Sequence, residues 1–323
     1  MKLQTQIPLS IANHQIDYDS RLVLLGSCFS ENIGAKFNYF KFRSFQNPFG
    51  VLFHPLAIEK LIEKSVTQEE YSEDDIFFFN ERWLCFDAHS DLNDSSKENL
   101  LNTLKNALKH THQQLKQATH IFITLGTSWV YKKKDRDIIV ANCHKVPQKE
   151  FSKEILSVQE ITASLKNTIE LIRKVNRTAQ IVFTVSPVRH IKDGFTNNQR
   201  SKAHLMTAIQ SILHHHNKEG LDYFPSYEIM MDELRDYRFY ASDMVHPNEL
   251  AIDYIWEKFK CTWIQENVHA VMSKVETIQK GLGHKPFHPD SIEHQNFLKS
   301  LREKIKKIQK DFPQIIFEHS MDF

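Results

Sequence analysis

The chain has 323 residues, enough for one large α/β domain with appendages. Its 41 Lys+Arg against 40 Asp+Glu leave a formal charge of +1, which excludes the strong basic field of a nucleic-acid or anionic-membrane binder. No stretch approaches the length of a membrane span, and the four cysteines are too scattered for a secreted disulfide scaffold. Residues 1–19 lack the basic segment, apolar run and cleavage site of a secretory signal, so a reduced, cytoplasmic setting is the expectation.

In chain order, Arg21 to Leu25 reads as a short buried strand closed by Gly26, followed by a helix from Ser30 to Phe40. Lys41 to Asn47 reads as a second strand ending in the turn Asn47-Pro48-Phe49-Gly50, and Ala57 to Lys64 as a short helix. Ile76 to Phe79 and Trp83 to Phe86 flank Asn80-Glu81-Arg82 as a hairpin inserted beside the main sheet. Ser95 to Gln117 is amphipathic, with Leu100, Leu101, Leu104, Leu108 and Leu115 on one face. Thr119 to Leu125 is the next buried strand, stopped by Gly126. A second hairpin joins Trp129–Tyr131 to Ile138–Val140 through the charged tip Lys132 to Asp137. Then come a helix over 161–175, a strand over 180–185, a helix over 201–216, a strand over 221–224 and a helix over 247–259. Such alternation predicts a mainly parallel sheet covered by helices on both faces. Two further helices, Ile264 to Lys280 and Ser291 to Lys310, form an extension. The second carries Leu298, Leu301, Ile305 and Ile308 as one stripe against many lysines, which can pack on the domain or pair with a second copy as a homodimer. The division expected is 1–262 for the α/β domain and 263–323 for the helical extension.

Two short segments carry the chemistry. Leu24-Leu25-Gly26-Ser27-Cys28-Phe29-Ser30 puts a hydroxyl and a thiol where a buried strand turns sharply into a helix, a geometry that lifts a nucleophile out at the carboxyl edge of a sheet. Ser242-Asp243-Met244-Val245-His246-Pro247 puts an acid and a histidine three positions apart, so that both can project the same way from one turn. Cys28 also fits an inert buried cysteine, and Asp243 with His246 also fits a helix cap beside a surface histidine.

With Gly26-Ser27-Cys28-Phe29 in place, the chain resembles the GSCFA family, named for Gly-Ser-Cys-Phe-Ala, here ending in Ser30. The resemblance extends over most of the chain, through Asn47-Pro48-Phe49-Gly50, Asp87-Ala88-His89-Ser90, Leu125-Gly126-Thr127-Ser128-Trp129, Asn142-Cys143-His144-Lys145, Ser186-Pro187-Val188-Arg189, Leu234 to Tyr240 and Gly283-His284-Lys285-Pro286-Phe287. That family in turn is similar to the SGNH (GDSL-type) hydrolases, compact three-layer α/β/α sandwiches that cleave carboxylic esters. The likeness implies Cys28 as nucleophile by register, with Ser27 as the alternative if the turn shifts by one residue. It implies His246 as general base and then acid, with Asp243 holding its tautomer. It also asks for oxyanion donors, each worth about 3–4 kcal/mol when well aimed. Gly50 fits one; Ser128 stands where an asparagine is expected and can donate with its shorter hydroxyl, or Asn142 can swing in instead. The resemblance further implies His89, His144 and Arg189 as cleft-lining residues.

Cys85, Asp87 and His89 share a strand face, and Cys143 adjoins His144, yet none of these spacings is a zinc pattern, so no metal and no cofactor is expected. Arg235 and Arg238 can bind an anionic substrate group or pair with Asp232 and Asp236. The expected activity is hydrolysis of an ester, an acylated or acetylated saccharide or small metabolite, through an acyl-enzyme. The partner is that substrate, with no nucleic acid and no membrane. Acyl transfer to an alcohol by the same residues, or a non-catalytic binding protein on the same fold, are the competing readings.

Overall fold

The unbroken apolar runs become the strands of one parallel sheet. In the computed structural model, which describes residues 4–215 and 220–317, the strands are β1 (Arg21–Gly26), β2 (Arg43–Gln46), β3 (Ile76–Phe79), β4 (Arg82–Cys85), β5 (His120–Leu125), β6 (Trp129–Lys133), β7 (Ile138–Val140), β8 (Phe151–Ile155), β9 (Gln180–Val185) and β10 (Leu221–Phe224). The helices are α1 (Cys28–Tyr39), α2 (Pro55–Thr67), α3 (Lys97–Gln117), α4 (Val158–Val175), α5 (Phe195–His215), the single turn α6 (Ser226–Glu228), α7 (Glu249–Trp263), α8 (Glu266–Leu282) and α9 (Ile292–Asp311). The predicted end of α5 at His216 and the outermost residues of the two predicted regions, 1–3 and 318–323, lie outside the described residues.

The main sheet has the order β10-β9-β5-β1-β2, and every pairing in it is parallel. Side chains alternate across it, as the two-residue period of a strand requires. Val23, Leu25, Ile121, Ile123, Ile181 and Phe183 face a core closed by α2, α3, α4 and α5. Leu22, Leu24, Phe122 and Val182 face a second core closed by α1 and α7. The result is an α/β/α sandwich with three layers. Phenylalanine fills much of the second core, where Phe37 meets Trp256 and Phe259 edge-on at centroid distances of 5.2 and 5.7 Å.

The extension joins this second core. Leu301, Ile305 and Ile308 of α9 are buried there with Val268, Met272, Val275 and Ile278 of α8. Three residues of the predicted stripe, Leu301, Ile305 and Ile308, are therefore packed within the chain, and Leu298 is half-buried. The hairpin β3–β4 lies beside the sheet as expected. The second hairpin is wider than expected, because β8 pairs with the free edge of β6 to make the three-stranded sheet β7-β6-β8. None of the helices among the described residues is long and apolar enough to cross a membrane.

The strand order fixes where a site can lie. The chain leaves β1 toward β2 on one side and later reaches β5 on the other, so the direction of winding reverses between β1 and β5. In open α/β sheets the crevice at such a reversal, outside the carboxyl ends of the strands, is the place for a ligand. Ser27 and Cys28 follow β1 at that point, and Gly126 follows β5.

Candidate active site

The turn from β1 into α1 takes a single residue, Ser27, and the strand can end so abruptly because its last residue is Gly26. Its φ is +126°, and a Cβ there would lie 2.1 Å from the carbonyl oxygen of Thr124. Ser27 caps the helix with extended backbone, its N–H donating to Thr124 O at 3.1 Å, and its own carbonyl accepts from Ser30 N–H at 2.8 Å. The Ser30 hydroxyl donates toward Leu25 O at 3.1 Å and lies 2.7 Å from Thr124 Oγ1, stapling the first helical turn to both strands. Cys28 is consequently the first residue of α1, two positions earlier than the predicted start.

The two candidate nucleophiles receive different environments. Ser27 is completely buried against Gly126, its Cβ only 3.3 Å from where a Cβ on that glycine would be, and its hydroxyl has no hydrogen-bond partner. Cys28 is partly exposed. Burial pushes its thiol up from the ordinary range and the Glu31 carboxylate adds to this; the Lys202 ammonium and the N–H groups of Cys28 and Phe29 pull it back down.

Asp243 and His246 form a bonded pair. His246 Nδ1–H donates to Asp243 Oδ2 at 2.6 Å, which leaves Nε2 as the basic nitrogen. Asp243 Oδ1 accepts the N–H groups of Val245 and His246, both at 3.0 Å. These two amides, then the His246 side chain, pull the Asp243 carboxyl down to about 2. Both side chains are half-exposed. The turn is tied to the sheet by Arg189 N–H donating to Val245 O at 3.1 Å, just beyond the end of β9. Among the described residues, no hydrogen bond links His246 to Cys28.

The expected oxyanion donors are placed otherwise. Gly50, with φ +69° and His89 Cβ 2.4 Å from its would-be Cβ, is a glycine by necessity, but its N–H closes the turn onto Asn47 O at 2.8 Å. Ser128 is fully buried; its N–H donates to Ser201 Oγ at 2.8 Å and its hydroxyl to Ser201 O at 3.3 Å. Its short side chain is therefore engaged with α5 and is not offered to the crevice. Asn142 accepts the His144 N–H on Oδ1 at 2.8 Å, leaving its Nδ2 as a donor.

His144 is a structural residue. Its Nε2–H donates to Cys85 O at 2.6 Å, Nδ1 receives the Ser90 hydroxyl at 3.1 Å, and burial lowers its affinity for a proton. His89 packs on Gly50 and pairs with Asp91 at 3.0 Å, and its neighbour Ser90 reaches Asn142 Oδ1 at 3.3 Å. Arg189 is half-buried, its Nη1 meeting Met231 Sδ at 3.5 Å and its Nε without a partner. Cys85, Asp87 and His89 do not converge: Cys85 is buried, Asp87 pairs with Lys60 at 2.7 Å, and His89 turns to Asp91. Among the described residues no group of three His, Cys, Asp or Glu side chains is placed to hold a metal. Arg235 and Arg238 take the surface alternative, pairing with Asp232 at 2.7 Å and Asp236 at 3.6 Å.

Two residues at the site escaped the sequence reading. Lys202 is entirely buried, its ammonium donating to Gly126 O at 2.7 Å and Ser186 O at 2.8 Å, the carbonyls just past β5 and β9. Burial drives it down to about 7. His190 lies edge-on to Phe53 with its Nε2 unpartnered; burial, then the charges of Lys202 and His246, drive it down to about 3. Lys202 had a legible signal. It stands three, seven and ten positions before Leu205, Ile209 and Ile212, on the buried stripe of α5.

The chain matches the GSCFA family over residues 21–259 and the GSCFA domain protein, C-terminal domain, over residues 275–322. No curated protein matches it. Among solved structures, the acetyl xylan esterase Est2A from the rumen bacterium Butyrivibrio proteoclasticus aligns with 76% of this chain at 11% identity and a TM-score of 0.37. The chain spans 65% of that protein's length, and at this score the likeness carries no argument.

Proposed function

The chain belongs to the GSCFA family, and from that premise and the site above we propose that it is an ester hydrolase acting through an acyl-enzyme on Cys28. The observation that carries this reading is a partly exposed thiol on the first residue of α1, at the winding reversal of the sheet, with an Asp243–His246 pair fastened to the exit of β9 on the same edge. Ser27, shut beneath Gly126, is not the attacking group in this reading.

In the first half-reaction the Cys28 proton passes to His246 Nε2 and the sulfur bonds to the acyl carbon. The tetrahedral oxyanion collapses, the alcohol leaves with the proton from His246, and a thioester remains on Cys28. In the second, His246 takes a proton from water, the resulting hydroxide attacks the thioester carbon, and the Cys28 thiolate departs and recovers that proton from His246. Asp243 holds the imidazole with Nε2 free and favours the imidazolium. The N–H groups that face Cys28 Sγ at the start of α1 are the donors best sited for the oxyanion, a helix amino terminus being favourable to negative charge. His89 and the free Nδ2 of Asn142 offer polar contacts suited to a saccharide or another hydroxylated acyl carrier.

The test is turnover of short-chain aryl esters and acetylated sugars by wild type, Cys28→Ala and Ser27→Ala. The reading expects Cys28→Ala to lose the activity and Ser27→Ala to keep most of it per folded molecule. Loss in Ser27→Ala with Cys28→Ala active would contradict it. Faster acyl release when an alcohol is added would identify a transferase instead.

A further inference from the structure

Lys202 is a buried cation without a carboxylate. Its side chain is wholly inaccessible, Nζ spends two of its three donors on Gly126 O and Ser186 O, and the ring of Tyr227 lies 5.4 Å away. Among the described residues no carboxylate forms an ion pair with it. An ammonium is costly to bury unless an anion offsets it, so a lysine used only to clamp two carbonyls is a poor choice. A neutral amide could supply the same two donors.

The groups that face Lys202 narrow the choice of anion. Arg189 and His190, from the exit of β9, are basic, and Tyr227 of α6 is a phenol that burial keeps protonated. The charge of His246 acts on His190. On α1 lie Cys28, whose charge acts on Lys202, and Glu31, whose charge acts on the thiol. Gly126, whose carbonyl holds Nζ, is the residue packed against Ser27, immediately before Cys28.

We propose that Lys202 is the positioning residue that stabilises Cys28 as a thiolate, serving as its buried counter-ion behind the nucleophile. The inference rests on Cys28 being the attacking group. The two residues share one proton. On the lysine it leaves thiolate and ammonium; on sulfur it leaves thiol and amine. Both arrangements carry no net charge, which is what a low-dielectric site favours, and the groups therefore titrate as a pair.

The experiment is the pH dependence of Cys28 alkylation by iodoacetamide, read at the Cys28 peptide by mass spectrometry, in wild type and in Lys202→Gln. The glutamine retains two N–H donors for the carbonyls and removes the charge. We expect its alkylation profile to move up by about one pH unit, with alkylation about tenfold slower at pH 7. An unchanged profile overturns the proposal. Should Lys202→Gln fail to fold, the reciprocal measurement decides. The 13Cε resonance of Lys202 in Cys28→Ala should titrate at lower pH than in wild type, and an unchanged titration overturns the proposal equally. Neither readout depends on ester turnover. A protein that shows the thiol shift but cleaves no ester would keep the Lys202 pairing and lose the hydrolase reading.

Discussion

The two turns that supply the candidate nucleophile and base are built in opposite ways. At Gly26–Cys28 the backbone is fixed by the main sheet: Ser27 is fully buried, Gly26 N–H donates to Asn47 Oδ1 at 2.9 Å, and Thr124 O lies where a Cβ on Gly26, at its positive φ, would sit. At Asp243–His246 the turn is a half-exposed loop, held by the Asp243 carboxylate, by one bond to Arg189 N–H, and by a positive φ of 59° at Met244, which is itself exposed. The nucleophile is placed by the fold as a whole and the base by its own few residues. Stability and activity should therefore separate between the two turns, and substitutions can break or sharpen that division.

The largest effect expected is on turnover. His246→Ala should lower kcat/KM for a short-chain ester by about 10^3-fold, while chemical denaturation shows stability within about 0.5 kcal/mol of wild type, as for other half-exposed sites. Gly26→Ala should do the reverse and cost on the order of 3–4 kcal/mol in the same denaturation, because the new methyl group meets a fixed carbonyl on a backbone that excludes it.

A pH experiment probes the ground between the turns. His190, held down to about 3, stays neutral in the folded protein while its unfolded counterpart takes up a proton below about 6.5. The unfolded state thus binds more protons in that window, and stability must fall as the pH drops from about 6.5 toward 3. Asp243, held at about 2, adds to the loss only below its ordinary value near 4. His190→Asn should flatten the upper part of this acid limb by up to about 1.4 kcal/mol per pH unit, measured as unfolding free energy against pH. The smallest effect is at Met244. Replacing it with glycine relieves the left-handed backbone and loosens the unfolded chain, for a net gain of about 0.5 kcal/mol.

Much of this was legible in the sequence, for physical reasons that differ by element. The central strands announce themselves because a strand covered on both faces is apolar without interruption, and residues 21–25, 119–125, 180–185 and 221–224 are read almost to their ends. The edge strand β8 was not read. Phe151-Ser152-Lys153-Glu154-Ile155 is mostly polar, since only Phe151 reaches a core, and its pairing with β6 comes from across a loop. The polar run Thr196 to Arg200 points to a start of α5 at Ser201; the helix begins at Phe195, and its first turns carry buried Asn198, Ser201 and Lys202 toward the strand ends. The predicted helix contains Ser201 and Lys202, but the long-range bonds that tie them to Ser128 and to the ends of β5 and β9 leave no local mark in the sequence. The Asp243–His246 pair was legible because it is local, whereas the bonds around Lys202 depend on strand ends 76 and 16 residues away in sequence.

The most direct test of the account is intact-protein mass spectrometry after brief exposure to an activated acyl ester, with wild type beside Cys28→Ala and His246→Ala. The account predicts a stoichiometric acyl adduct on wild type that maps to Cys28, is absent from Cys28→Ala, and forms slowly or not at all in His246→Ala. An adduct that persists in Cys28→Ala, or no adduct and no ester turnover in wild type, would contradict it.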